Sequence, residues 1–493
     1  MKISIKQLVG FIQSELNVNR DSKKLLYQTI YEAIKGGIVN GSIPKDSQLP
    51  PTRKLANELG VSRSTIVTVY DLLRLERLVE SRGGAGFKVI YENYTRIFNE
   101  PKDELLEGEL SEMAKSFYKN VHRVNILDPG QSAFRPGLPP VDLFPINTWK
   151  KLVNQFWQLV RARDLSYYPE NGIESLRSTI ADYLRLTRGI VCHKDQIMIV
   201  GGSLQSLYLI GSLLLNPGDS VLLENPTFPN VHSLFSGLRA DITGVPVDPE
   251  GMNLDHLNDR VLKDAKLIHI TPSSHYPLGM QMSYDRRKRI CQLAAKNNLF
   301  IIENDYEHEV NGMQIGLKTL YAEDVNNRTF YLGTFNRILH PSVRLGYMVV
   351  PEKMVAPIRA IARHSHLMVS PSTQMVIDEF IQKDYLHMHV RKVKHVAQER
   401  KEIFEKHMSR IKSLALNESS ANAPSLHNLY KLSNLIPDKK AIDQMSERNV
   451  TAHQLSKCFV SDKKEQGLIF GYSCTPHASI PAKIDEISKA MRN

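Results

Sequence analysis

Apolar and polar positions alternate in two different rhythms along this chain. In LLYQTIYEAIKGGIVNGSI, residues Leu26, Ile30, Ala33, Ile34 and Ile38 recur at three- and four-residue steps, the spacing of one helix face. Gly41 and Pro44 then break the pattern. In LPPTRKLANELGVSRSTIVTVYDLLRLERLV, Thr52 opens a second, short helix, Gly60 centres a tight turn, and Ser62 is placed to cap a third helix. Ile66, Val69, Tyr70 and Leu73 form the apolar face of that helix, while Arg63, Ser64, Thr65 and Thr68 lie at its start or on its outer side. LVESRGGAGFKVI follows, two short strand-like runs around a glycine-rich turn with Arg82 and Lys88 beside it.

Two short helices joined by a glycine turn make a helix-turn-helix, whose second helix enters the major groove with its first residues on base edges. Arg63 is placed for a guanine or a phosphate, and Ser62 and Thr65, with the amides of the helix start, for phosphate oxygens. The strand pair reads as a wing. An all-helical packing module with solvated arginines is the alternative for the helix pattern alone. The order of preceding helix, LPPTRKLA, VSRST and wing argues against it.

From residue 131 the rhythm changes to short apolar runs: IMIV (197–200), SVLLEN (220–225), LIHIT (267–271), FIIEND (300–305) and TFYLGTF (329–335). Helical stretches such as QSLYLIGSLLL and YDRRKRICQLAAKNN lie between them. Strands alternating with helices predict an α/β domain with a mainly parallel sheet covered on both faces. Ligands of such sheets sit beyond the carboxyl ends of the strands. There the sequence places GGSLQS, NPTF, TPSSHYPLG, NDY and GTFNR. Residues 91–130 mix charges with few apolar clusters and read as a linker with some helical character. The expected plan is a small α+β DNA-binding head over 1–90, a linker over 91–130 and an α/β domain over 131–493.

Composition narrows this plan. The 493 residues suit two or three domains, and 42% hydrophobic content supplies a large core. No run approaches the ~18 apolar residues of a membrane span, and MKISIKQLVGFIQSELNV has Gln and Glu where a signal peptide is apolar. The expected compartment is the cytoplasm. Four cysteines without a CxxC pair argue against a disulfide framework or a zinc site. HSH (364–366) and HMH (387–389) have no partner cluster, so no metal is expected. The net charge of +11 is compatible with nucleic acid; residues 1–100 hold 15 Lys and Arg against 10 Asp and Glu.

The head as a whole resembles the winged helix-turn-helix of the GntR superfamily of bacterial transcription factors. Double-stranded operator DNA is the implied partner, through Arg53, Ser62, Arg63, Ser64, Thr65, Arg82 and Lys88. FRPGLPPVDLFPINTWKKL, YYPENGIESLRSTIADYLRLTRGI, GGSLQSLYLIGSLLLNPGD, ENPTFPN, TPSSHYPLGMQMSYDRRKRI and FNRILHPSVRLGYMVVP follow in order. They resemble the fold-type-I aminotransferase-like domain that follows such a head in MocR-type regulators. The resemblance covers nearly the whole chain and weakens after about residue 400.

That resemblance implies a pyridoxal phosphate site. Ser203, Leu204 and Gln205 correspond to its phosphate cradle, Arg344 and Thr334 to further phosphate partners, Phe228 to the wall against the ring, and Tyr306 to the partner of the ring hydroxyl. Two positions depart from the pattern. The Schiff-base lysine aligns with Arg337, whose guanidinium cannot lose a proton to become a nucleophile. The carboxylate opposite the pyridine nitrogen aligns with Asn304; Asp305 is expected on the opposite face of its strand, and Lys318 and Lys353 fall in other elements. A weaker alignment puts Ile469, in LIFGYS, where a substrate-binding arginine is expected. The expectation is therefore a homodimeric DNA-binding regulator, not an enzyme, with no covalent cofactor. Its sensor domain would take an anionic or phosphate-bearing effector, or pyridoxal phosphate non-covalently. A pyridoxal-dependent enzyme with an appended head, a pyridoxal-phosphate-sensing regulator and a ligand-free DNA-binding dimer are the alternatives.

Overall fold

The computed structural model describes residues 8–10, 12–13, 25–39, 41–82, 86–91, 108–123, 132–162, 166, 168–311, 317–365, 368–422, 425–433, 436–461 and 464–492. The chain divides into two compact units, Met1–Gly108 and Glu109–Asn493.

The first unit contains α1 (Leu26–Val39), α2 (Thr52–Leu59), α3 (Arg63–Leu75) and the hairpin β1 (Val79–Arg82) and β2 (Gly86–Val89). The local signals place its corners. Gly60 takes φ 70°, the left-handed conformation that ends α2. Ser62 Oγ accepts the amide of Thr65 at 3.1 Å, which satisfies one orphan donor of α3. Ile66, Val69, Tyr70 and Leu73 are buried against Ile30, Ala33, Ile34 and Ile38. Leu26, expected on the same stripe, is 49% exposed, because it opens α1 beyond the reach of α3 and the core. Tyr70 Oη donates to the carbonyl of Pro50 at 2.8 Å and so fixes the entry to α2 against α3. β1 and β2 pair antiparallel, Val79 opposite Val89.

The second unit is built on an eight-stranded sheet in the order β3-β10-β9-β8-β7-β4-β5-β6. Its strands are β3 (Ile197–Val200), β4 (Ser220–Asn225), β5 (Asp241–Asp248), β6 (Gly251–Met252), β7 (Ala265–Ile270), β8 (Phe300–Asn304), β9 (Thr329–Thr334) and β10 (Gly346–Val349). β5, β4, β7, β8 and β9 run parallel, while β10 is antiparallel to both β3 and β9, and β6 to β5. Alternate side chains of the central strands enter separate cores. Ile197, Ile199, Tyr331, Tyr347 and Val349 pack with the helices Glu174–Arg188, Pro371–Gln382 and Tyr385–Met408. Met198, Val200, Phe330, Leu332 and Met348 pack on the other face with the helices Ser203–Leu214, Pro229–Gly237 and Val355–Ser365.

β5 and β10 escaped the sequence reading. DITGVPVD carries Gly244 and Pro246, which weaken a strand pattern, and GYMV is only four residues long. A second, antiparallel sheet comprises β11 (Leu414–Leu416), β12 (Asn428–Leu432), β13 (His453–Gln454) and β14 (Gly467–Phe470), in the order β11-β12-β14-β13; only β14, as LIFGYS, was read from the sequence as a strand. It packs around Phe134, Phe404, Tyr430 and Phe470 with the helix Ile480–Ala490. Within the segment read as linker, Glu112–Asn120 is a helix capped by Ser111.

Candidate functional site

At the start of α3, Arg63 and Ser64 are exposed, as is Arg53 on α2, and Thr65 is half-buried. Ser62 Oγ lies 2.7 Å from Ser64 Oγ and 2.8 Å from Thr65 Oγ1 as well as capping the helix. Its hydroxyl thus braces the helix start while the side chain stays exposed. Lys88 is half-buried and ion-paired with the exposed Asp46. The backbone of Arg82 ends β1; its side chain lies outside the described residues.

The second group of named residues converges. Ser203, Leu204, Gln205, Phe228, Asn304, Tyr306, Thr334, Arg337 and Arg344 all line one cavity of about 500 Å³. It opens beyond the carboxyl ends of β3, β4, β8 and β9, as a parallel sheet provides. Gly202 precedes the helix Ser203–Leu214 with φ 138°, a conformation open to glycine, and turns the helix amides toward the cavity. Gln205 Oε1 accepts the Gly201 amide at 2.6 Å and braces this turn. Asn336, Asn230 and Val231 also line the cavity and were not singled out from the sequence. Asn336 joins its two walls: its Oδ1 accepts the amide of Leu345 at 3.0 Å and its Nδ2 donates to the carbonyl of Gly201 at 3.4 Å. The FNR triplet offered no signal for this bridge, which depends on two distant segments.

Asn304 ends β8 with its side chain 3.2 Å from His269 Nε2 on β7, and its Oδ1 is buried without a hydrogen-bond partner. Burial pulls the His269 imidazole down to about 3, so it is neutral at pH 7. Asp305 points away from this pair, as strand alternation predicted. Its carboxylate meets Arg188 at 2.5 Å and accepts the Tyr331 hydroxyl at 2.8 Å. Burial alone would raise that carboxyl, but Arg188 holds it below the usual range. Phe228 stacks on Tyr276 with centroids 3.8 Å apart and planes within 7°, and meets Tyr306 edge-on at 5.0 Å. One face of the expected ring wall is therefore covered by Tyr276.

Arg337 is 24% exposed. Its guanidinium lies 5.3 Å from the Tyr306 ring centroid and 3.9 Å from the buried carboxylate of Glu307. Gly137 makes room for it, since a Cβ there would lie 2.2 Å from Arg337 Nη1. Among the described residues lining the cavity there are two arginines, no lysine and no carboxylate. The phosphate end of pyridoxal phosphate fits the helix amides, Thr334 and Arg344. The aldehyde end does not, since no lining group can condense with it and no carboxylate faces a ring nitrogen. Ile469 is a core residue of β14, packed with Tyr276, Tyr306 and Leu455. Among the described residues no group of three His, Cys, Asp or Glu comes together to hold a metal, and no helix is long and apolar enough to cross a membrane.

A small winged head and a fold-type-I aminotransferase sheet with its cavity beyond the strand ends define the class of this protein. The sequence profile of aminotransferase class I and II matches residues 139–462, well over half of the chain, and the chain belongs to that family. The profile of bacterial regulatory proteins of the gntR family matches residues 26–89. The chain is 27% identical over 469 residues to the probable rhizopine catabolism regulatory protein MocR of Rhizobium meliloti, covering 93% of this chain and 92% of that protein. It is 25% identical over 470 residues to the pyridoxine biosynthesis transcriptional regulator PdxR of Corynebacterium glutamicum, covering 93% and 94%. Kynurenine aminotransferase of Pyrococcus horikoshii shares the fold of the second unit, with a TM-score of 0.68 at 23% identity over 79% of this chain and 98% of that one.

Proposed function

We propose that this protein is a cytoplasmic, homodimeric DNA-binding transcription regulator, with a head over 1–90 and a linker over 91–130. Its aminotransferase-like domain, 131–493, then serves as a sensor and no longer performs transamination. The observation that carries this reading is the combination in one chain of a capped, arginine-bearing helix and a cavity with no lysine among its described lining residues. Full-length similarity to the two regulators supports the first half. For the second, Arg337 stands at the position from which the family's lysine forms its imine, and a guanidinium stays protonated at any physiological pH. Asn304 is neutral where a carboxylate would keep a pyridine nitrogen protonated. Pyridoxal phosphate, when bound, supplies an electron-withdrawing ring. Here the chain's own groups would only bind it: helix amides, Thr334 and Arg344 at the phosphate, with the neutral Asn304 side chain at the ring nitrogen.

The head is tested by selecting duplexes from a random library with the full chain and measuring affinity by fluorescence anisotropy across salt. Arg63→Ala is expected to cost ~1–3 kcal/mol, roughly a 5- to 150-fold loss, on the selected site, with steep salt dependence in the parent protein. Failure to select any duplex, or affinity insensitive to salt, refutes the reading.

A further inference from the structure

We propose that Arg337 turns the inner end of the cavity into a second anion subsite, so that the ligand is an aromatic phosphate monoester bearing a carboxylate as well. This rests on reading the cavity as a ligand site. The charge of the cavity argues for it. Two of its fifteen lining residues are arginines and none is acidic. A phosphate monoester carries roughly −1.5 to −2 at pH 7, and the helix start at Ser203 with Arg344 can receive it. Arg337 is left over.

The acid near Arg337 does not use it up. Glu307 stands at 3.9 Å, beyond hydrogen-bond reach, and its other oxygen accepts the Ser425 hydroxyl at 3.1 Å. Glu307 does not line the cavity, whereas Arg337 does. Glu307 thus orients the guanidinium from one side and leaves N–H donors for the cavity. Gly137 and the Tyr306 ring confine it further, so little side-chain freedom remains to be lost on binding. A planar fork of N–H groups matches a carboxylate by two parallel hydrogen bonds, which a lysine cannot offer. Asn304 lines the same cavity as a neutral amide, so it adds no charge to compete with Arg337 for the carboxylate. At the lysine position, an arginine therefore recognises by charge and shape a group that a lysine would have bonded covalently.

Calorimetric titration of the full chain with 4-pyridoxic acid 5′-phosphate and with pyridoxine 5′-phosphate tests this. The two probes share ring and phosphate and differ in a carboxylate against a hydroxymethyl group. The carboxylate probe is expected to bind about tenfold tighter or better, as a charge-assisted bidentate pair implies. Arg337→Gln should abolish that preference, weakening the carboxylate probe more than pyridoxine 5′-phosphate; Arg344→Gln should weaken both probes to a similar degree. Arg337→Lys, which keeps the charge but loses the fork, should retain part of the preference and covers the case in which the glutamine variant misfolds. Equal affinities in the parent protein, or a preference that survives Arg337→Gln, overturn the proposal while leaving the phosphate-site reading standing. Binding of neither probe overturns both.

Discussion

Replacing Gly237 by alanine probes how the cavity is tied to the segment that follows the head. Gly237 ends the helix Pro229–Gly237, whose first turn supplies Asn230 and Val231 to the cavity wall. The helix Glu112–Asn120 lies across its other end. Ser116 Oγ donates to the carbonyl of Ser236 at 2.6 Å, and Ser233 Oγ to that of Asn120 at 2.9 Å. A Cβ at Gly237 would sit 2.2 and 2.3 Å from two ring carbons of Phe117, where ordinary contact begins at 3.4 Å. The ring must retreat by about 1.2 Å, the difference between those two distances. Overpacking of this kind costs ~1–3 kcal/mol, against which a helical Gly→Ala change returns up to ~1 kcal/mol. The net expectation is a loss of about 1–2 kcal/mol in the docking of 112–120. Hydrogen exchange over 112–120 reads it directly, as roughly 5- to 30-fold faster exchange of those amides with the sheet strands unchanged. Phe117→Leu in the alanine background should recover protection. Unchanged exchange in Gly237→Ala would refute the packing argument.

Two further outcomes concern buried and reactive groups. Burial raises the Glu224 carboxyl to about 7 against the hydrogen bonds from Thr271, so the fold holds a proton there that the unfolded chain loses near 4.5. Stability contributed by that proton is present at pH 4.5 and is lost as pH rises through 7; Glu224→Gln should flatten the pH dependence of denaturant midpoints and gain about 3 kcal/mol at pH 8 relative to pH 4.5. Equal pH slopes for the two proteins would exclude the ionisation penalty. The parent protein, mixed with pyridoxal phosphate and reduced with borohydride, should show no pyridoxyl mass adduct on a cavity residue, whereas Arg337→Lys should gain one and Asn304→Asp should increase it. An adduct on a cavity lysine of the parent protein would refute the alignment of this loop.

Local chemistry made the head readable from its sequence. Gly60, the Ser62 cap and the Ile66–Leu73 stripe each act within a few residues, and the structure places a turn, a helix start and a core face there. The five strands read from apolar runs were legible for the same reason, since burial on both faces writes a short continuous apolar word. β5 and β10 carry no such word; each is defined by its hydrogen-bonded pairing with a neighbouring strand. Apart from β14, the second sheet was silent because its strands are two to five residues long and meet across tens of residues of chain.

The sequence by itself determined the types of groups at the cavity: an arginine at 337, an asparagine at 304, an arginine at 344. These are covalent facts, and what a guanidinium or an amide cannot do needs no coordinates. Tertiary structure alone decided where those groups stand and what is left free on each. Lys88 was drawn to Asp46, and Asp305, already turned away by strand alternation, was given Arg188 as its partner. One face of Phe228 was given to Tyr276, and Asn304 Oδ1 was left unpaired. The physical reason is that charge pairing and ring stacking act over a few ångströms between residues far apart in sequence. Only the closed fold brings those partners within range.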